Sequence, residues 1–192
     1  MRFLTVDEFS KFLDGIMDKQ KSYVTFMTLF WTGMRLGEML ALTLNDIDLD
    51  EGIISITKTY TQLSGKDIIT SPKTPSSVRK VSMPTFLCAE LREYIGLLYE
   101  PAREQRLFKV SKSKLSNNFH LLSDEAGLKR ITIHGLRHSH VSLLISKKYD
   151  IFEVSKRIGH KSVKTTQDIY GHLFDDVQKS IANDLDKLRR GE

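Results

Sequence analysis

The sequence has little of what marks secreted or membrane proteins. Its 192 residues include one cysteine, Cys88, which excludes an internal disulfide and a cluster of metal-binding thiolates. No stretch approaches the roughly 18 consecutive apolar residues that a membrane-spanning helix requires. Arg2, Asp7 and Glu8 interrupt the N-terminus, which therefore lacks the apolar run of a signal peptide. We expect a cytoplasmic protein that has no membrane partner.

Repeats, low-complexity tracts and long linkers are also missing, and a chain of 192 residues is typical of one domain. We expect a single domain over residues 1–192, with a core over about 1–172 and an amphipathic tail helix over 173–192. Apolar residues at spacings of three and four indicate that helix: Phe174, Val177, Ile181, Leu185 and Leu188.

Basic residues exceed acidic ones by a modest margin. The chain has 29 Lys and Arg against 24 Asp and Glu, a formal net charge of +5 and a pI near 9.2. This balance permits nucleic-acid binding without requiring it, and any single lysine is best explained as part of a solvated surface. A DNA partner is favoured by the lysines that surround the reactive residues described below: Lys147, Lys148, Lys156, Lys161 and Lys164.

The hydrophobic pattern predicts a mainly α fold with one small three-stranded antiparallel β-sheet. Thr5 and Glu8 make a capping-box pattern at the start of the first helix. Thr132 and Asp150 are placed to cap two later helices, the second of which ends at Gly159. Alternating apolar residues predict the strands, which we place at 53–57, 68–70 and 78–82.

Two arginines lie in short patterns that suit an anionic ligand. Arg35 and Glu38 are three residues apart in a helical segment, so they share a face. An exposed ion pair is the simpler interpretation, and the alternative presents Arg35 to a phosphate with Glu38 in support. His134 and Arg137 have the same spacing near a helix start, where the backbone adds positive potential. Either pair alone is a weak signal.

His160 and Tyr170 complete a set of residues that can handle a phosphate. His160 follows Gly159 at a predicted helix end, which is a common place for a polar residue. Tyr170 is one of six tyrosines, and a lone tyrosine usually belongs to a core or an interface. To act as a nucleophile, its phenol needs a base or cationic surroundings, because its ordinary pKa is about 10. Two arginines, two histidines and a tyrosine together suggest metal-free phosphoryl transfer on DNA.

No metal site is predicted, although three histidines crowd one helix. His134, His138 and His140 do not share one helical face, and no His-Glu-x-x-His motif supports them. We expect a structural role for His138, and neither a metal ion nor another cofactor.

The complete ordered set resembles the catalytic domain of the tyrosine recombinases, the phage integrase family. Residues 32–38 are similar to that family's first-arginine box, and residues 134–139 are similar to its second box. Residues 72–74 are similar to its hairpin-lysine segment, while His160 and Tyr170 fit its third box. Each motif alone is weak, but all of them in this order are highly specific.

The resemblance implies a catalytic role for each residue. Tyr170 would attack a DNA phosphodiester, giving a 3′-phosphotyrosyl bond and a free 5′-hydroxyl, and the 5′-hydroxyl of another strand would reverse the step. The other roles are shared as follows: Arg35 and Arg137 hold the non-bridging oxygens, His134 and His160 donate hydrogen bonds and exchange protons, Lys73 protonates the leaving oxygen, and Glu38 supports the site.

The same resemblance implies a site-specific DNA recombinase or integrase of a mobile element. Its partners would be double-stranded recombination sites and other copies of itself, as a monomer without DNA and a tetramer on it. Because the chain begins where such a catalytic domain begins, we expect the N-terminal core-binding and arm-binding domains to be absent. The tail helix can dock on its own domain or on a neighbour. Two alternatives stay open: a type IB topoisomerase that relaxes DNA, and a non-catalytic DNA-binding module of the same fold.

Overall fold

The chain is mainly helical with a small antiparallel sheet, as predicted. The computed structural model describes residues 3–72, 74–129, 131–171 and 177–190. Over these residues the helices are α1 Val6–Asp14, α2 Gln20–Thr32, α3 Leu36–Ala41, α4 Thr85–Gly96, α5 Lys112–Glu125, α6 Gly135–Ser146, α7 Ile151–Ile158, α8 Val163–Tyr170 and α9 Val177–Arg190. The strands are β1 Ile47–Asp48, β2 Ile53–Ile56, β3 Thr59–Leu63, β4 Lys66–Thr70 and β5 Arg79–Ser82.

The start of α1 confirms the predicted capping box. The Thr5 hydroxyl accepts the Glu8 backbone N–H at 3.2 Å, and the Glu8 carboxylate accepts the Thr5 N–H at 2.7 Å. Two of the N–H groups that a helix start leaves unpaired are thereby satisfied. The apolar face of α1 is then buried against α2, where the rings of Phe9 and Phe30 stack with centroids 3.8 Å apart.

One of the three strands predicted for the small sheet was assigned to the wrong sheet. β2 lies between β1 and β5, and both pairings are antiparallel. The segment predicted at 68–70 belongs to β4, which pairs with β3 in a separate two-stranded hairpin. Ser64 and Gly65 join these two strands, and both have positive φ. A two-residue turn of that kind pairs its flanking strands directly. Among the described residues β4 pairs with β3, while both edges of β2 are occupied by β1 and β5.

The predicted cap at Asp150 is confirmed, whereas the one at Thr132 is wrong. The Asp150 carboxylate accepts the N–H groups of Phe152 and Glu153 at the start of α7. α6 instead begins after His134, whose side chain makes no capping hydrogen bond. α7 ends at Gly159, as predicted, with φ +71°. A left-handed glycine of this kind is a common way for a helix to end.

The core has a large part and a small part. The large part joins α1 to α5 and the strands around buried aromatic rings such as Phe12, Phe26 and Phe119. The small part joins α6, α7 and α8, and it consists of Val141, Ile145, Val154, Ile158 and Tyr170. The predicted nucleophile therefore ends a short helix that is anchored on α6 and α7.

The predicted tail helix is present as α9, Val177–Arg190. Two of its apolar side chains, Leu185 and Leu188, are 61% and 72% exposed. Phe174, which was also assigned to this helix, lies outside the described residues. Within the described ranges, no helix combines the length and the apolarity needed to cross a bilayer.

Candidate functional site

Arg35 and Glu38 form an ion pair, as their spacing predicted, but the carboxylate of this pair is buried. The Glu38 carboxylate is 3% exposed and accepts the Arg35 guanidinium at 2.8 Å and the Arg35 backbone N–H at 2.9 Å. Arg35 also donates to the Gly159 carbonyl at 3.1 Å, which ties α3 to the end of α7. Its side chain remains 39% exposed, so part of Arg35 is open to solvent.

A third residue, Arg79 of β5, completes this network. It donates two hydrogen bonds to Glu38, at 2.9 and 3.2 Å, and its side chain is 6% exposed. A further bond runs from Arg79 to the Arg157 carbonyl at 2.8 Å. Burial by itself raises the pKa of Glu38, but the hydrogen bonds and charge of Arg79, with the bonds from Arg35, hold that pKa below its usual range. Glu38 is thus a fixed anion between two arginines.

Arg137 lies deeper and has no anionic partner of its own. It is 4% exposed and donates to two backbone carbonyls, Gly33 at 2.7 Å and Ile158 at 2.8 Å. None of the carboxylates in the described part of the chain forms an ion pair with it. Burial and the neighbouring Arg35 lower the pKa of Arg137 to about 9. A buried cation with only carbonyl partners is well suited to receive an anion.

The two predicted histidines stand beside these arginines. His134 precedes α6, and part of its side chain is exposed to solvent. Burial of the rest of the ring, together with the nearby charges of Arg137 and Arg35, lowers the pKa of His134. His160 follows Gly159, and its Nδ1 hydrogen-bonds the buried Thr166 hydroxyl at 2.9 Å. Burial, with Arg137 and Arg35 close by, lowers the pKa of His160 to about 4. Both rings are therefore neutral at neutral pH and able to hydrogen-bond without adding positive charge.

Tyr170 reaches the same place from the end of α8. Its side chain is 3% exposed, and its hydroxyl hydrogen-bonds Nδ1 of His138. The sequence suggested that cationic neighbours would activate the phenol, but burial outweighs the effect of Arg137 and raises the pKa of Tyr170 to about 12. Burial, with His134 and Arg137 nearby, lowers the pKa of His138 to about 4. The phenol therefore keeps its proton in this state.

Positive charge dominates the cluster. Two of its four arginines, Arg35 and Arg79, bind the Glu38 carboxylate. Among the described residues, Arg137 donates to backbone carbonyls, and Arg157 donates to backbone carbonyls and to His140. A groove of about 650 Å³ continues from it between β5 and the α7–α8 turn. In the described ranges no three His, Cys, Asp or Glu side chains are grouped to share a metal ion.

Comparison with known proteins identifies the family of this chain. Residues 2–176 match the phage integrase family. The ICEBs1 integrase of Bacillus subtilis is 37% identical over 202 residues, which cover 98% of this chain and 55% of that protein.

The chain belongs to the phage integrase family.

Solved structures of similar proteins have the same fold. The crystal structure of XerA recombinase superposes with a TM-score of 0.75 at 26% identity, covering 96% of this chain and 65% of that one. The Tn1549 transposon integrase in complex with a circular intermediate DNA gives a TM-score of 0.82 at 21% identity, covering 96% of this chain and 66% of that one. The chain spans about half the length of the curated relatives it matches, 55% of one and 49% of another.

Six of the seven residues that sequence reasoning assigned to this site in a phage integrase lie in one cluster. They come from the N-terminus of α3, the start of α6, the turn after α7 and the end of α8: Arg35, Glu38, His134, Arg137, His160 and Tyr170. The seventh, Lys73, lies outside the described residues.

Sequence reasoning gave no role to two further arginines that hold the site together. These are Arg79, whose bonds to Glu38 are described above, and Arg157 near the end of α7. Arg157 donates to Nε2 of His140 at 3.1 Å and to the carbonyls of Trp31 and Ser82. Burial and Arg157 lower the pKa of His140 to about 3, which keeps that ring a neutral acceptor. These contacts join segments far apart in sequence, so no local spacing signals them.

Proposed function

We propose that this chain is the catalytic domain of a site-specific DNA recombinase, the integrase of a mobile element. One observation carries the proposal: the buried guanidinium of Arg137, which forms no ion pair among the described residues, is close enough to Arg35 and Tyr170 to interact with both electrostatically. A phosphodiester supplies the missing anion, and Tyr170 supplies the nucleophile.

The two arginines suit a phosphodiester in particular. A guanidinium donates parallel hydrogen bonds that match two oxygens of one phosphate, which an ammonium group cannot do. Arg137 is held by the Gly33 and Ile158 carbonyls, and Arg35 by Glu38, so neither has to reorganise when charge develops. Preorganised donors of this kind stabilise the transition state rather than the ground state.

The proposed reaction begins with in-line attack of the Tyr170 oxygen on the phosphorus. A 3′-phosphotyrosyl bond forms and the 5′-oxygen leaves with a proton, which the family resemblance assigns to Lys73. His134 and His160 hydrogen-bond the phosphate, and His160 would use Nε2 because Nδ1 binds Thr166. A 5′-hydroxyl from another strand then attacks the phosphotyrosine and releases Tyr170. Because Tyr170 is 3% exposed, DNA binding must first open a path to its hydroxyl.

The relatives support integration or recombination as the purpose of this chemistry. The ICEBs1 integrase is named for integration, and the XerA of Pyrococcus furiosus, 28% identical over 202 residues, is named a tyrosine recombinase. The 650 Å³ groove adds a path for the DNA backbone, since Lys80, Lys156 and Lys161 line it together with Glu153. Lysines beside a phosphate site supply affinity that does not depend on sequence.

The proposal extends to assembly and compartment. We propose a monomer that forms a tetramer on paired DNA sites in the cytoplasm, with α9 packed on a neighbouring copy. The exposed Leu185 and Leu188 support this, because an apolar helix face is stabilised when a partner covers it.

Covalent trapping tests the proposal. The chain is incubated with a pool of nicked duplexes whose cleavage region is randomised, so that the short fragment beyond the cleaved bond diffuses away. A recombinase gives an SDS-resistant protein–DNA adduct, and sequencing the trapped DNA gives the preferred site. Tyr170→Phe should abolish the adduct, whereas the control Tyr149→Phe, at a tyrosine that is 58% exposed, should leave it unchanged.

Each other outcome favours a different function. An adduct that survives Tyr170→Phe contradicts the assignment of the nucleophile. Relaxation of supercoiled plasmid that carries no preferred site favours a type IB topoisomerase. Retention of DNA without any adduct, even after fusion to the core-binding domain of a relative, favours a DNA-binding module.

A further inference from the structure

The hydroxyl of Tyr170 has one side-chain partner among the described residues, and it is His138 rather than either predicted histidine. Nδ1 of His138 lies within hydrogen-bond distance of the phenol oxygen. The two rings are tilted by 52° with centroids 5.7 Å apart. We propose that His138 is a catalytic residue, which takes the phenol proton as Tyr170 attacks the phosphodiester. This role rests on the proposed recombinase function.

The other candidates for this task are placed differently. Nδ1 of His160 is bonded to Thr166 at 2.9 Å. His134 meets His138 edge-on, with centroids 4.7 Å apart and planes at 87°, and its contact is with that ring. Arg137 is a donor and cannot accept a proton. His138 is also one residue from Arg137 on the same helix, so the acceptor and the phosphate-binding group keep a fixed relation during attack.

The protonation states agree with this direction of transfer. His138 is neutral, because burial and the nearby His134 and Arg137 lower its pKa to about 4. With the ring proton on Nε2, the lone pair of Nδ1 accepts the hydroxyl of Tyr170, whose pKa burial raises to about 12. The gap between the two values keeps the proton on the phenol before DNA binds. A bound phosphate raises the pKa of His138, because a nearby negative charge favours imidazolium.

The step balances without a further reactant. The bond from the Tyr170 oxygen to phosphorus forms while the bond from phosphorus to the 5′-oxygen breaks. The phenol proton moves to Nδ1 of His138, and the 5′-oxygen takes its proton from the general acid of the proposed function, the role that the family resemblance assigns to Lys73. In the return step the incoming 5′-hydroxyl gives its proton to that same group as it attacks phosphorus, and His138 gives its proton back to the departing phenolate.

The substitution His138→Asn separates accepting a hydrogen bond from accepting a proton. The asparagine oxygen can occupy the position of Nδ1 and accept the hydroxyl, but an amide oxygen does not take up a proton near neutral pH. With the trapped site from the duplex pool as substrate, we expect the cleavage rate to fall by about 10²-fold or more, the usual contribution of a general base. The control His120→Asn, on α5, should cleave at the unaltered rate.

A second modification gives a readout that a purely structural role would not produce. Incorporating 3,5-difluorotyrosine at position 170 lowers the phenol pKa, so less help is needed to remove the proton. We expect this change to restore cleavage by at least about tenfold in the His138→Asn background. In the chain that retains His138 it should change the rate by less than about threefold, because the imidazole already removes the proton during attack.

The outcomes distinguish this inference from the function on which it rests. If the unaltered chain forms no adduct with any duplex, the recombinase function and the role of His138 fall together. If the adduct forms but His138→Asn cleaves as fast as the unaltered chain, or faster, His138 is not the proton acceptor. Should His138→Asn fail to fold by circular dichroism, a large acceleration by difluorotyrosine in the His138 background would overturn the inference, and an unchanged rate would support it.

Discussion

The buried carboxylate of Glu38 should be the most sensitive point of the site's framework. Glu38→Gln keeps the shape of the side chain but removes its charge. Arg79, with a side chain 6% exposed, would then be buried without a counter-charge, and its remaining partners would be the carbonyls of Arg157 and Ser77. The amide nitrogen would also face one of the guanidinium groups that the carboxylate now binds.

The expected loss is large for one substitution. Removing one member of a buried ion pair costs about 3–5 kcal/mol, because the other charge stays desolvated and unpaired. With a urea m-value of about 2 kcal/mol/M, typical of small proteins, the unfolding midpoint should fall by about 1.5–2.5 M. Trp31, the single tryptophan, packs edge-on against Phe30 and Phe86 and reports unfolding by its fluorescence.

The control is Glu125→Gln, which removes an exposed ion pair instead of a buried one. Glu125 meets Lys19 at 3.4 Å, and the two side chains are 53% and 45% exposed. Loss of such a pair costs no more than about 1 kcal/mol. If Glu38→Gln is also within about 1 kcal/mol of the unaltered chain at pH 7, the reasoning about the buried network is wrong.

Lowering the pH should narrow the difference between Glu38→Gln and the unaltered chain. The pKa of Glu38 in the folded chain lies below its ordinary value of 4.5. Its contribution to stability is therefore complete above pH 4.5 and is lost as the pH falls through the folded value. Urea titrations between pH 7 and pH 3 test this, and a difference that stays constant over that range would contradict it.

Three further predictions concern the backbone, a buried hydroxyl and DNA affinity. Gly159→Ala should lower the free energy of unfolding by about 1–3 kcal/mol, because φ is +71° and the new Cβ would lie 2.9 Å from the Arg79 guanidinium. Gly65→Ala, with φ +78° and open space around it, measures the cost of the backbone alone, and an equal loss there would show that crowding contributes nothing. Ser139→Ala leaves the Leu4 N–H without the hydroxyl that it bonds at 2.8 Å, so a calorimetric loss of about 1–3 kcal/mol is expected, and no shift in melting temperature would contradict it. The logarithm of DNA affinity should fall linearly with the logarithm of salt concentration. Lys156→Gln should reduce the magnitude of that slope by about one, because one phosphate contact is lost. An unchanged slope would place Lys156 away from the DNA backbone.

Much of the local structure could be predicted because it depends on neighbours in sequence. The capping box of Thr5 and the capping carboxylate of Asp150 involve residues within three positions of each other. The left-handed stop at Gly159 follows from one residue type. The strand pairing was harder, because the pattern that predicts a strand does not say which strand it joins. The hairpin turn at residues 64–65 decided that for β3 and β4.

The sequence by itself determined the chemistry that this chain carries: two arginines, two histidines and a tyrosine in the order of a phage integrase. The identity and order of these residues are properties of the sequence and do not depend on the fold. Only the tertiary structure decided how they are held, since Arg79 and Arg157 reach across 41 and 126 positions to Glu38 and Trp31. Burial depends on the packed whole, so only the fold could show that the Tyr170 phenol is protonated and that it is bonded to His138 rather than to His134 or His160.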